Sequence, residues 1–144
     1  MIAIVDYGRG NLHSVTSAFE TIGEDVTIAS TPEELEAADR IVLPGVGAFP
    51  AGMGSLRESG LVDSLNEQVR VKGKPFLGIC LGMQFLSTAS LEGTATDGLG
   101  WVDATVREMP ARKHGLKLPH VGWNETVPAE DSVLFARMGK NPTM

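Results

Sequence analysis

The sequence has one cysteine, Cys80, so no internal disulfide is available to it, and a reducing, cytoplasmic setting is expected. It has no surplus of positive charge. Lysine and arginine total 12 against 18 aspartates and glutamates, a net charge of −6, which is the wrong sign for coating a phosphate backbone and argues against a nucleic-acid partner. It also lacks a long apolar run and a basic stretch ahead of an apolar signal core, and its mean hydropathy is only +0.03. Neither a membrane span nor a secretory leader is therefore expected. No metal or cofactor is expected.

What remains is a 42% hydrophobic, 21% charged chain of 144 residues, enough for one core and one domain. Glycine is abundant, 17 residues against a usual share of roughly 7%, and no period-three repeat accounts for it. These glycines are expected at turns and close backbone approaches.

Ile2 to Val5 is an apolar run of strand length that closes in Asp6-Tyr7-Gly8-Arg9-Gly10. Asn11 then stands where a helix N-cap belongs, and Leu12, Val15, Phe19 and Ile22 follow at helical spacing until Gly23. Val26 to Ala29 predicts a second strand. Thr31-Pro32-Glu33-Glu34 supplies an N-cap, a first-turn proline and a capping-box glutamate for a short helix to about Ala38. Arg40 to Leu43 predicts a third strand, ending in Pro44-Gly45-Val46-Gly47. Helical periodicity from Gly52 to Val71 is interrupted near Gly60, and Pro75 to Ile79 predicts a fourth strand with a helix from Leu81 to about Ser87.

This alternation predicts an α/β fold, a three-layer and mostly parallel sheet with helices on both faces, in which ligands gather beyond the C-terminal strand ends. Three turns converge there: Gly8 to Asn11, Pro44 to Gly47, and Cys80 to Gly82. After Glu92 the rhythm changes. Trp101 to Arg107 alternates like a half-exposed strand and Lys117 to Thr126 is broken by Pro119 and Gly122, so this half is expected to be antiparallel and partly irregular.

Gly78-Ile79-Cys80-Leu81-Gly82 carries the chemistry. It sets a thiol between two glycines at a strand-to-helix turn, the logic of a nucleophile elbow. A solitary cysteine is by default a small core hydrophobe, but the elbow lifts the sulfur above the sheet, and a following helix N-terminus favours the thiolate. Acyl transfer also needs amide donors for the developing oxyanion; Leu81 N–H is one source and the Gly45-Val46-Gly47 turn another. Gly8-Arg9-Gly10-Asn11 lacks the third glycine of a dinucleotide fingerprint. A base is harder to find: His13 suits helix packing or capping, His114 a solvated loop, and His120, in an apolar stretch, a buried hydrogen-bonded position.

These pieces together resemble the triad-type glutamine amidotransferases, and among them the glutaminase subunits of imidazole glycerol phosphate synthases. The matching segments are Asp6 to Leu12, Pro44 to Phe49, Gly78 to Gln84, and Pro119-His120-Val121-Gly122-Trp123-Asn124, in the family's order. The resemblance implies a flavodoxin-like amidotransferase fold and a glutaminase in which Cys80 attacks the glutamine side-chain amide, releases ammonia and forms a thioester that water cleaves. It implies an oxyanion hole from Leu81 and Gly45 to Gly47, with Gln84 and Glu92 helping to hold glutamine. It also implies a cyclase subunit that consumes the ammonia, faced by Asn11, Pro119, Val121 and Trp123. The alternative for Trp123 is a core residue lidding the sheet edge. The resemblance covers residues 1–144 as one domain, about three quarters of the family's length, and the family's triad histidine and glutamate lie in a later segment. The 144-residue polypeptide is thus expected to be a single amidotransferase domain incomplete at its C-terminus and inactive alone. The competing reading is a noncatalytic amidotransferase-like binding module.

Overall fold

The computed structural model describes residues 1–129 together with 132, 133 and 135. They fall into two compact units, one from Met1 to Glu108 and one from Met109 onward. The first unit opens with strand β1 (Ile2–Val5), helix α1 (Leu12–Thr21), strand β2 (Val26–Ala29), helix α2 (Pro32–Ala37) and strand β3 (Arg40–Gly45). Helices α3 (Phe49–Glu58) and α4 (Val62–Leu65) follow, the latter running into a wide π-helical turn, Asn66–Val71. Strand β4 (Phe76–Cys80) then passes directly into the single-turn helix α5 (Leu81–Gln84).

The four strands form one parallel sheet in the order β2-β1-β3-β4. Burial shows why. All four residues of β1 are buried, so an unbroken Ile-Ala-Ile-Val run feeds both faces of the sheet. Ala3 and Val5 point into the larger core, with Leu35 of α2, Phe49, Met53 and Leu56 of α3, Leu65 of α4, and Leu81 and Phe85. Ile2, Ile4 and Val42 point the other way, against Leu12, Val15 and Phe19 of α1. Helices thus lie on both faces, as the sequence predicts.

The predicted ends of α1 and α2 hold closely. Asn11 caps α1 by accepting from Ser14 N–H at 3.1 Å, and Gly23 leaves that helix at φ +82°. The helical spacing of Ile22 does not bury it; it is exposed beyond the last turn. Thr31 and Glu34 form the full capping box of α2. Hydrogen bonds from the Ser30 and Thr31 backbone N–H groups hold the Glu34 carboxyl below its ordinary value. A lowered carboxyl adds stability above its unfolded-state pKa and loses it as pH falls through the folded value. The melting-temperature gap between Glu34→Gln and the parent is accordingly expected to be widest near neutral pH and to close in acid, as thermal melts across pH 2–7 would show.

Two expectations require correction. The helix predicted from Leu81 to about Ser87 stops at Gln84, because Ser87–Ser90 forms strand β5 of a second sheet. That sheet, with β6 (Thr96–Asp97) and β7 (Val102–Val106), is ordered β6-β5-β7 and is mixed rather than antiparallel: β5 runs antiparallel to β6 but parallel to β7. The chain goes through Thr96–Asp97 and an irregular return before β7, long enough to reverse direction twice. Trp101 anchors the return by donating from Nε1 to Asn66 Oδ1 at 2.7 Å, with its ring edge-on to Phe76.

The second unit is largely irregular, with a 3₁₀ turn at Ala111–His114. Val121 and Trp123 are 87% and 83% exposed within it, so Trp123 is not a core residue of this unit. His120 is likewise exposed rather than buried, although it is hydrogen-bonded, its Nε2 lying 2.6 Å from Asn124 Nδ2.

Candidate active site at the thiol elbow

Cys80 ends β4 and begins α5 with φ +55° and ψ −116°. Among the described residues it is the one non-glycine with positive φ. Such a backbone costs about 1–3 kcal/mol and persists only where the surroundings impose it. Here they do. A Cβ on Gly78 would stand 2.6 Å from Met83 Cα, and one on Gly82 would run into the carbonyl oxygen of Leu43. The two glycines let α5 turn back against its own strand and against β3, and the thiol is left exposed above the sheet.

The β3 end meets this elbow in register, with Gly45 paired to Cys80. Gly45 has no room for a side chain: a Cβ there would lie 2.7 Å from the Tyr7 hydroxyl, 2.8 Å from Gly82 N and 2.9 Å from Leu81 Cβ. Gly47, at φ +96°, turns the chain toward α3 next to the Arg9 guanidinium. Gly10, at φ +117°, brings the third turn against Pro44. All three turns expected to converge therefore do so.

Val46 and Gly47 are exposed at the mouth of the turn while Gly45 is buried. Leu81 N–H opens the first turn of α5, where a helical amide has no partner within its own helix. With α5 one turn long, its dipole is weaker than the longer predicted helix would supply. Gln84 is half-buried at the last position of α5 and lines a cleft of about 380 Å³ with Met83, Ser87 and residues of β7. Glu92, the loosest of the sequence assignments, accepts from Phe49 N–H at 3.2 Å, which puts its carboxylate at the start of α3 just past the Gly45–Gly47 turn. Asn11 is exposed at the neighbouring turn, its side-chain oxygen occupied by the α1 cap.

Two residues near the elbow escape sequence reasoning. Arg9 donates from Nε to Ser55 Oγ at 2.8 Å and so ties the first turn to α3. Tyr7 is buried under the strand ends, its ring edge-on to Phe85. The signal for both was their place in the Asp6 to Gly10 turn, which spacing alone reads as a connector. Of the histidines, His13 is exposed on α1 and makes no hydrogen bond to Cys80 among the described residues. No group of three or more His, Cys, Asp or Glu placed to hold a metal occurs among the described residues. No helix among them is long and apolar enough to cross a membrane.

A strained thiol on a parallel α/β sheet, framed by glycine turns, is the arrangement of a nucleophile elbow, and comparison with known proteins gives its family. The family model for class-I glutamine amidotransferases matches residues 3–144, and the chain belongs to that family. Similar curated proteins within it include HisH subunits of imidazole glycerol phosphate synthase. That of Rhodopseudomonas palustris is 41% identical over 98% of this chain and 68% of its own length, and HisH 2 of Pseudomonas aeruginosa is 47% identical over 89% and 62%. That of Methanothermobacter thermautotrophicus is 48% identical over 94% and 65%. The chain thus spans somewhat under two thirds of most of these relatives. Among solved structures, a glutamine amidotransferase is similar at TM-score 0.62 and 21% identity, covering 74% of this chain and 56% of its own. A putative peptidase E from Listeria monocytogenes is similar at 0.58 and 18%, covering 71% and 62%. At such identities these two speak for the fold.

Proposed function

We propose that the protein is the glutaminase subunit of an imidazole glycerol phosphate synthase, which releases ammonia from glutamine for a cyclase subunit in histidine biosynthesis. The observation that carries this reading is the backbone of Cys80: a non-glycine held at φ +55° between two glycines that admit no side chain is strain kept for a reacting group. In the reaction the Cys80 thiolate attacks the amide carbon, and the C–N bond breaks as nitrogen takes up a proton and leaves as ammonia. Water then cleaves the glutamyl thioester to glutamate and regenerates the thiol. Leu81 N–H and the Gly45-Val46-Gly47 turn are assigned to the oxyanion, a reading supported by the pairing of Gly45 with Cys80. Gln84 and Glu92 are assigned to glutamine. The 144 residues are read as part of one amidotransferase domain.

Ammonia that reaches water is lost to the cyclase, so the partner must close over the exit. Asn11, Pro119, Val121 and Trp123 are assigned to that contact. An exposed tryptophan beside an exposed valine supports the assignment, since large aromatic side chains are favoured as interface anchors. Trp123→Ala is expected to weaken binding of the cyclase by tenfold or more and to leave the melting temperature unchanged. Titration with the cyclase alongside a thermal melt checks both. Unchanged affinity with a collapsed melt would oppose the assignment.

A noncatalytic binding module is the second reading. Ammonia release by the full-length protein, with and without the cyclase subunit, separates the two. Turnover that requires Cys80 supports the glutaminase, and glutamine binding without turnover supports the module.

A further inference from the structure

The Tyr7 hydroxyl is the unexplained polar group of this site. Tyr7 is only 4% exposed, and its oxygen has no hydrogen-bond partner among the described residues. A buried hydroxyl left unpaired is costly, whereas a phenylalanine would fill the same space against Phe85 without that penalty. The hydroxyl is aimed at the seam of the elbow. It shares with Gly82 N and Leu81 Cβ the space where a Cβ of Gly45 would stand, and Gly45 is the residue paired with Cys80.

We propose that Tyr7 is a further catalytic residue of the thiol elbow, its buried O–H held ready to donate a hydrogen bond to the anion formed at Cys80. The inference rests on the reading of Cys80 as the nucleophile and deepens it. The phenol keeps its proton throughout and no bond is made or broken at Tyr7. Burial, opposed by nearby Arg9 and reinforced by charge at Cys80, pushes the phenol up to about 12, so it remains a neutral donor at any pH at which the protein works. A single-turn α5 leaves room for such help, because its dipole alone is a weak source of anion stabilisation. The other charged groups around the seam are Arg9, held on Ser55, Glu92, bonded to Phe49 N–H, and Asp6, which accepts from Gly8 N–H.

The test is alkylation of Cys80 by iodoacetamide in the full-length protein and in Tyr7→Phe, followed by intact mass across pH 6–10. The thiolate displaces iodide, so the rate reports how much anion is present. With the donor gone, the rate near neutral pH is expected to fall about five- to tenfold, the size of one lost hydrogen bond to a charged group. The rate at high pH, where every thiol is ionised, is expected not to fall. Superimposable pH profiles would overturn the proposal, and so would an equal loss at every pH, the mark of a merely displaced sulfur. Should Tyr7→Phe melt early, 3-fluorotyrosine at position 7 keeps the shape and makes the O–H a stronger donor. It is then expected to raise the neutral-pH rate, and an unchanged rate would overturn the proposal. Failure of a glutamine analogue to label Cys80, with the Tyr7 effect on iodoacetamide intact, would instead count against the glutaminase reading alone.

Discussion

Cys80→Ser is expected to abolish covalent labelling by an electrophilic glutamine analogue and to lower glutamine turnover by a factor of at least about 10⁴, since the hydroxyl that replaces the thiol is scarcely ionised and the step passes through the sulfur anion. Intact mass after treatment reads the first effect and ammonia release with the cyclase reads the second. Equal labelling of variant and parent would remove Cys80 from the mechanism. Strain adds a sharper companion experiment. Because φ +55° is penalised for cysteine and free for glycine, Cys80→Gly is expected to be as inactive as the serine variant yet more stable than the parent, by about 1 kcal/mol. A thermal melt distinguishes this from an ordinary loss of side-chain contacts, which would move stability the other way.

Gly82→Ala is expected to damage the fold itself. The added Cβ collides with the Leu43 carbonyl oxygen and lies 2.8 Å from Leu43 C. Those are backbone atoms of β3, which is hydrogen-bonded on both sides, to β1 and to β4, and cannot retreat without opening the sheet. A cost of about 3 kcal/mol or more follows, roughly 10 °C in melting temperature for a chain of this size. Gly54→Ala is the control. It lies in α3 with nothing within 4 Å of its added Cβ, and alanine there is expected to be neutral or to stabilise by up to about 1 kcal/mol. Equal effects at the two glycines would mean that helix propensity, not the close approach of α5 to β3, governs the region.

The contrast between those two glycines shows what the sequence can and cannot disclose. Residues whose meaning is local were legible: Asn11 and Thr31 as caps, Gly23 as a helix end, the apolar run of β1 as a doubly buried strand, and Cys80 between its glycines as an elbow. Those signals act within a few residues of chain. The extent of α5 was not legible, because Phe85 continues the helical spacing and only the pairing of Ser87–Ser90 with Val102–Val106 draws the chain out of helix. The parallel sense of that pairing escaped for the same reason, since alternation reports which residues face in but not which way the neighbour runs. In the site, the glycine turns could be placed from their motifs. Tyr7 and Arg9 could not, since their neighbours Phe85 and Ser55 come from distant parts of the chain.

The strand order β2-β1-β3-β4 bears on when the protein becomes reactive as well as on where. β4 finds its partner β3 only across the whole of α3 and α4, so its docking closes one of the longer loops of the sheet and is slow relative to forming the helices. Until that docking, Gly45 is not opposite Cys80, Gly82 is not pressed on Leu43, and nothing holds the cysteine in its strained shape. A nascent or partly folded chain therefore carries an ordinary thiol. If Cys80 is the nucleophile proposed here, folding acts as its safety catch, and the chain is armed only when its central sheet is complete.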